Sequence, residues 1–148
     1  MEINKIFCIG YPKTGTTSIN KALSTLGFPS AKFQSRKFYK FLKDNKNYED
    51  FIKKGSFIKF IKRHHSFSDW PIFLFYRELD KMFPNSKFIL TTRANEQDWL
   101  DSQQRMAERT EYSRINEVYK YQRDQLRRFL MDTYESHIQD VKKYSLFI

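Results

Sequence analysis

Two short, largely apolar runs form the clearest pattern in the chain. The first covers residues 5–11 and the second covers residues 87–92. Runs of this length without regular polar alternation are typical of strands that are buried on both faces, as in a parallel sheet. We therefore predict two central strands, the second of which ends at Arg93.

Apolar positions spaced three and four residues apart predict the helices. The helices predicted in this way cover residues 17–26, 96–108 and about 114–144. Another helix is expected to begin after Ser68 or Asp69, with Pro71 in its first turn, because these residue types are favoured at helix N-termini. Strands that alternate with helices indicate an α/β fold in which helices cover both faces of a parallel sheet.

Lysine and phenylalanine are interleaved through residues 35–63. Such a mixture can form a surface for single-stranded nucleic acid. It also arises when amphipathic helices bury Phe and expose Lys, and the helical spacing of Phe38 and Phe41 favours this second interpretation. We therefore predict helices with buried Phe and solvated Lys in this region, and no specific nucleic-acid partner.

The composition is that of one globular domain over residues 1–148. Hydrophobic residues make up 40% and aromatic residues 18% of the sequence, which is enough for a packed core, so a disordered chain is not expected. Lys and Arg outnumber Asp and Glu by 27 to 17, and the net charge of +10 favours anionic partners. The basic residues are spread along the chain, which is also typical of an ordinary solvated surface.

Cysteine usage and hydropathy exclude several classes of protein. Cys8 is the only cysteine, which leaves no pair for an intramolecular disulfide and no cluster for zinc. No Asp and His ligand set is apparent either, so we predict no metal. The N-terminal apolar run is too short for a signal peptide, and no stretch reaches the length of a membrane span. We expect a cytoplasmic protein without a membrane partner, and its oligomeric state is left open.

A loop of small and hydroxyl residues joins the first predicted strand to the first predicted helix. Proteins bind phosphate at such junctions, because the N–H groups of the loop and the positive end of the helix dipole converge on the anion. Lys13 adds a full positive charge to this loop. The hydroxyl donors are Thr14, Thr16, Thr17 and Ser18.

The spacing within this loop differs from that of the ATP-binding type. Gly10 and Gly15 fit a G-x-x-x-x-G frame, but Thr16 and Thr17 follow where the ATP-binding motif has Lys and then Ser or Thr. The lysine of this chain lies inside the loop instead. The segment Tyr-Pro-Lys-Thr-Gly-Thr-Thr at residues 11–17 resembles the 5′-phosphosulfate loop of the P-loop sulfotransferases, which use 3′-phosphoadenosine 5′-phosphosulfate.

This resemblance extends from about residue 5 to the end of the chain and is weaker from about residue 30 to residue 65. It implies a three-layer P-loop fold with a short parallel sheet flanked by helices, and a variable helical insert at about residues 28–70 that supplies the acceptor pocket. It also implies that the 5′ end of the co-substrate is bound by Pro12, Lys13, Thr14, Gly15, Thr16, Thr17 and Ser18. Family members continue into a further strand and a phosphate-closing segment, so we expect either a minimal or a C-terminally truncated version of the fold, with slow or undetectable transfer.

A second segment is similar to the same family. The second predicted strand ends in Arg93 and Ser102 lies in the next helix, and in the family such a pair holds the 3′-phosphate. A guanidinium at the carboxyl end of a strand is well placed for phosphate oxygens. The family places the Ser one residue nearer to the Arg, so either the turn is longer here or Asp101 occupies that position. We favour Ser102, because Asp101 would repel a phosphate.

Sulfuryl transfer depends mainly on positioning and on charge stabilisation. We predict that Lys13 is the catalytic cation, acting on the bridging oxygen as the sulfuryl group leaves. The acceptor needs a base, for which Asp69, His64 and His65 are candidates. The resemblance favours Asp69, whose alternative role is that of a helix N-cap.

The function that follows is a sulfotransferase acting on a hydroxyl or amine acceptor, either a small molecule or a glycan. Two alternatives stay open at this point. One is a non-catalytic relative that binds a nucleotide or polyanion, which the basic charge and the early chain end favour. The other is a P-loop kinase, which the position of Lys13 disfavours.

Overall fold

The computed structural model describes residues 5–33, 35–44, 47–108 and 117–144. Within these ranges four short strands form one parallel sheet in the order β2-β3-β1-β4. The strands are β1 (Ile6–Cys8), β2 (Ser30–Ala31), β3 (Ser66–Phe67) and β4 (Lys87–Ile89). In the centre of the sheet, β1 pairs Ile6 with Ser66 of β3 and with Lys87 of β4. The carboxyl ends of the strands therefore meet along one edge, called the carboxyl edge below.

Helices surround this sheet. In the same ranges the α-helices are α1 (Thr16–Thr25), α2 (Ser35–Asp44), α3 (Gly55–Arg63), α4 (Tyr76–Met82), α5 (Glu96–Glu108) and α6 (Glu117–Lys143). Two 3-10 helices lie at Tyr48–Lys53 and Ile72–Phe75. No helix in the described part of the chain has both the length and the apolar character needed to cross a membrane.

The sheet separates a large apolar cluster from a small one, because side chains along β1 alternate between its two faces. Phe7 belongs to the large cluster and stacks on Phe67 with 5.2 Å between ring centroids. Ile6 and Cys8 belong to the small cluster, together with Leu23 of α1. Helices thus cover both faces, and the predicted α/β fold with a short parallel sheet is confirmed.

The Lys- and Phe-rich region packs through its aromatic side chains. The buried aromatic residues of this region are Phe33, Phe38, Phe41, Phe51 and Phe57. Several lysines of this region, including Lys40, Lys53 and Lys59, are exposed. The interpretation of this region as amphipathic helices is therefore confirmed for the side chains that the structure describes.

The structure corrects the helix that was expected to begin after Asp69. A 3-10 helix comes first, and α4 begins only at Tyr76. Asp69 has a φ of 71°, and its carboxylate accepts a hydrogen bond from the N–H of Trp70 at 2.9 Å. The side chain of an N-cap accepts a hydrogen bond from an N–H two or three residues further on, whereas the Asp69 carboxylate accepts from its immediate neighbour. The alternative role of Asp69 as an N-cap is therefore wrong.

Candidate functional site

The loop that follows β1 ends at the N-terminus of α1. Gly15 caps this helix with a φ of 96°, a conformation that glycine adopts without steric cost. The first backbone hydrogen bond of the helix runs from the Ile19 N–H to the Gly15 carbonyl at 3.1 Å. The N–H groups of Thr16, Thr17 and Ser18 precede that bond, and a helix leaves such groups without an intrahelical partner.

This helix N-terminus is suited to an anion. Gly15 has no side chain with which to cap the helix, and the first turn contains no acidic residue. The partial positive charge of the helix dipole is therefore not neutralised by a neighbouring carboxylate. The backbone at residues 15–18 thus fits the phosphate group of a nucleotide.

Gly10 allows the loop to pass close to the end of β4. A Cβ at this position would overlap the hydroxyl and carbonyl oxygens of Thr91. The buried hydroxyl of Thr14 donates to the Tyr11 carbonyl at 2.6 Å and lies 2.7 Å from the Thr91 hydroxyl. Contrary to the sequence expectation, the Thr14 hydroxyl is therefore engaged within the protein, which leaves its N–H as the group that could face an anion.

Arg93 connects the segment after β4 with the loop after β1. Its Nε donates to the Lys13 carbonyl at 2.7 Å, and its Nη2 lies 3.5 Å from Ser102 Oγ. Lys13, Arg93 and Ser102 therefore lie together beyond the carboxyl edge. Asp101, the alternative to Ser102, instead accepts a hydrogen bond from Gln97 at 2.8 Å on the exposed side of α5.

The turn between Arg93 and α5 is held by its own polar contacts. The side-chain oxygen of Asn95 accepts from the Asp98 N–H at 2.8 Å, and its amide donates to the Asp98 carboxylate at 3.1 Å. Asn95 therefore acts as the N-cap of α5, a role for which its residue type is favoured. With this turn, Ser102 lies on the side of α5 that faces Arg93.

The carbonyl of Pro12 is held from α5 by two side chains. Trp99 Nε1 donates to it at 2.9 Å and Gln103 Nε2 donates at 3.0 Å, and both side chains are buried. Trp99 stacks on Tyr134 of α6, with 4.4 Å between ring centroids. The Tyr134 hydroxyl accepts from the Arg93 N–H at 3.0 Å, and burial raises the pKa of that hydroxyl above its usual value.

Sequence reasoning missed the structural role of Gln103 and of Tyr134. One signal could have indicated Gln103, because it lies one helical turn after Trp99 on the buried face of α5. A polar residue at a buried helical position needs a hydrogen-bond partner, and a loop carbonyl provides one here. No comparable signal identifies Tyr134, whose contact with Arg93 depends on how α6 is docked.

The start of the loop is also bound by α6. The Tyr11 ring stacks on His137 with 4.3 Å between ring centroids, and its hydroxyl lies 2.8 Å from Thr133 Oγ1. His137 Nε2 lies 2.8 Å from the carbonyl of Ile9 and must therefore carry the proton of this hydrogen bond. Burial raises the pKa of Tyr11 to about 12 and lowers the pKa of His137.

The candidate bases lie at opposite edges of the sheet. Asp69 follows β3 and is therefore at the carboxyl edge, where its half-buried carboxylate binds the N–H of Trp70. His65 precedes β3, is exposed, and uses its carbonyl to accept from the Ile6 N–H at 2.8 Å. Its neighbour His64 is exposed as well. The structure therefore does not bring His65 to the loop after β1. His65 lies at the amino end of β3, whereas this loop lies beyond the carboxyl ends of the strands.

A cavity of about 230 Å³ lies beside Tyr11, between α6 and the two 3-10 helices. Its lining combines aromatic side chains, such as Tyr48, with the carboxylates of Glu49, Glu78 and Asp140. Neither Lys13 nor the arginine after β4 is part of that lining, so the cavity is distinct from the candidate anion site. Among the residues that the structure describes, no three His, Cys, Asp or Glu side chains are grouped to hold a metal ion.

Comparison with known proteins adds one finding to this geometry. A family model described as a sulfotransferase domain matches residues 5–143. The matched range includes β1, the loop after it, Arg93 and all of α6. A search of curated proteins found no match.

Proposed function

The chain belongs to the sulfotransferase domain family, and on that premise we propose that its sulfuryl donor is 3′-phosphoadenosine 5′-phosphosulfate and its acceptor a hydroxyl or amine. The family model covers most of the chain, which makes the protein a transferase that moves a sulfuryl group. The family assignment does not support the kinase or non-catalytic alternatives. The acceptor that we propose is a small molecule or a glycan.

The observation that supports this donor is the grouping of the α1 N-terminus, Lys13, Arg93 and Ser102, which we interpret as two neighbouring places for anions. The helix N-terminus at residues 15–18 fits the 5′-phosphosulfate, with Lys13 and the N–H groups of the preceding loop beside it. Arg93 and Ser102 fit the 3′-phosphate, because the guanidinium has donors left after Nε binds the Lys13 carbonyl. A donor with phosphate at only one end would leave one of these places unused.

In the proposed reaction the acceptor oxygen or nitrogen forms a bond to sulfur while the bond from sulfur to the bridging oxygen breaks. The products are the sulfated acceptor and 3′-phosphoadenosine 5′-phosphate. Lys13 stabilises the negative charge that develops on the bridging oxygen, which lowers the barrier more than it tightens ground-state binding. Asp69 takes the acceptor proton, because it is the predicted base that lies at the carboxyl edge.

Calorimetric titration with 3′-phosphoadenosine 5′-phosphate, 5′-AMP and ATP tests the donor. The bisphosphate should bind at least about tenfold more tightly than 5′-AMP, since it gains charge-assisted contacts to Arg93. It should also bind more tightly than ATP, with no requirement for magnesium. Equal affinities for the bisphosphate and 5′-AMP would contradict a second phosphate position, and magnesium-dependent preference for ATP would contradict the proposed donor.

A further inference from the structure

We propose that Gln103 is a positioning residue for the anion-binding loop and acts by orienting the Pro12–Lys13 peptide, with Trp99 sharing this role. The inference rests on the proposed function, because it concerns how the loop is prepared for the 5′-phosphosulfate. Neither side chain needs to touch the donor. Both act through the single carbonyl oxygen of Pro12.

In a trans peptide, hydrogen bonds to the Pro12 carbonyl also set the direction of the Lys13 N–H. The carbonyl and the N–H of one peptide group point in opposite directions. Because the Pro12 carbonyl points toward α5, the Lys13 N–H points away from α5. The Lys13 carbonyl is held in turn by Arg93 Nε at 2.7 Å, which directs the N–H of Thr14 away from the guanidinium.

The carbonyls of Pro12 and Lys13 thus both point toward donors that lie between residues 93 and 103. A carbonyl oxygen that faced a phosphosulfate would repel it, whereas an N–H in the same place would bind it. A rotation of the Pro12–Lys13 peptide would exchange these two groups. The orientation of this peptide therefore decides whether it contributes an attractive N–H or a repulsive carbonyl beside the N-terminus of α1.

The two donors on Pro12 restrain that rotation more than a single donor would. Two N–H groups occupy both lone pairs of the carbonyl oxygen. The side chains of Trp99 and Gln103 are 0% and 2% exposed, so water does not compete for these hydrogen bonds. They lie one helical turn apart on α5, which fixes their positions relative to each other.

The test compares Gln103→Met with Gln104→Met. Methionine resembles glutamine in length and helix propensity but lacks the N–H donor, and Gln104 is the exposed neighbour on the same helix. Calorimetry measures the affinity of each variant for 5′-AMP, which uses the loop, and for 3′-AMP, which uses Arg93. We expect Gln103→Met to weaken 5′-AMP binding by about three- to tenfold, and 3′-AMP binding by less than about twofold.

A role in stability alone would not produce this selectivity, so equal losses for the two nucleotides, or no loss beyond that of Gln104→Met, would overturn the proposal. Trp99→Phe removes the other donor and keeps an aromatic ring, and it should show the same selective loss. If the unsubstituted protein binds neither these nucleotides nor 3′-phosphoadenosine 5′-phosphate, the proposed donor is refuted, but the amide NMR resonances of Lys13 and Thr14 still decide the inference. Gln103→Met should shift both resonances, and unchanged resonances would overturn the positioning role.

Discussion

At the scale of single residues, Lys13 has an unusual backbone conformation. Its φ of 70° lies in a region that costs a residue with a side chain about 1–2 kcal/mol. The hydrogen bond from Arg93 to its carbonyl offsets part of that cost. Arg93 therefore has two predicted tasks, since it supports the loop through Nε and is available to a phosphate through its other nitrogens.

Substitution of Lys13 should reduce turnover more than donor affinity. Lys13→Ala and Lys13→Gly both remove the ammonium group, and Lys13→Gly also relieves the positive φ. We expect similar losses of turnover of about a hundredfold or more, because the charge acts on the bridging oxygen in the transition state. Steady-state kinetics with Lys21→Ala, an exposed lysine on α1, as the control would measure this. A loss of affinity with unchanged turnover would make Lys13 an anchor only.

Arg93 should determine the affinity for the 3′-phosphate. Arg93→Ala should weaken bisphosphate binding by roughly ten- to hundredfold, the effect of losing charge-assisted hydrogen bonds. Arg93→Lys keeps the charge but cannot bind the Lys13 carbonyl and a phosphate with one planar group, so it should recover only part of the affinity. Calorimetry with the bisphosphate and 5′-AMP separates these effects. Full recovery by lysine would show that only the charge matters.

A methyl group at Gly10 should destabilise the protein. Gly10→Ala places a Cβ against Thr91 and should lower the free energy of unfolding by about 2 kcal/mol or more. Gly55→Ala is the matched control, because a Cβ there meets nothing within 4 Å. That control should stabilise the protein by about 0.4–1 kcal/mol, since it restricts the unfolded chain. Urea denaturation of both variants measures the difference, and equal stabilities would contradict the close approach.

At the scale of elements, the loop is held between two helices. From α5, Trp99 and Gln103 bind the Pro12 carbonyl. From α6, Tyr134 binds the backbone of Arg93 and His137 binds the carbonyl of Ile9. These contacts join residues far apart in the chain, so the geometry of the anion site depends on the correct docking of both helices.

The docking of α6 should depend on pH through His137. Burial lowers the pKa of His137, while its bond to Ile9 and the charge of Asp140 oppose that shift more weakly. The unfolded chain therefore binds more protons than the folded chain as the pH falls below about 6.5. The free energy of unfolding should then decrease toward lower pH, by up to about 1.4 kcal/mol per unit.

Denaturation measured between neutral pH and about pH 5 tests this dependence on pH. His137→Gln keeps an N–H for the Ile9 carbonyl and should reduce the slope, whereas His65→Gln replaces an exposed imidazole and serves as the control. An unchanged slope in His137→Gln would show that other groups cause the acid sensitivity.

At the scale of the whole molecule, the net positive charge and the exposed position of Arg93 both affect the binding of an anionic donor. The chain carries a net charge of +10, and the exposed guanidinium of Arg93 lies at the carboxyl edge of the sheet. A positive protein attracts an anionic donor over distances that depend on ionic strength. Contacts at an exposed group are also weakened by salt, because the Debye length shortens as salt is added.

Affinity for 3′-phosphoadenosine 5′-phosphate should therefore fall with salt. Raising sodium chloride from about 0.05 M to about 0.5 M should weaken binding by on the order of tenfold. Binding of uncharged adenosine serves as the control and should change little. Titrations at several salt concentrations measure the slope, and a bisphosphate affinity that does not change would contradict an exposed electrostatic site.

The sequence by itself determined the class of the fold and predicted the loop that we propose to bind an anion. Largely apolar runs without regular polar alternation predicted β1 and β4, although both strands are shorter than those runs. The spacing at residues 10–18 predicted a loop before a helix, because Gly, Pro and hydroxyl residues act on the local backbone. Local backbone preferences of this kind can be recognised in the sequence alone, and the family match over residues 5–143 agrees with the fold predicted from them.

Only the tertiary structure decided how distant segments meet. The strands β2 and β3 have two residues each, too few for any periodicity, and they exist because β1 and its neighbours supply their hydrogen bonds. The positions of Asp69 and His65 at opposite edges of the sheet likewise depend on the direction of β3 within the sheet. The contacts of Gln103 with Pro12 and of Arg93 with Lys13 join residues 91 and 80 positions apart. Such pairs leave no local pattern, because packing rather than neighbouring sequence brings them together.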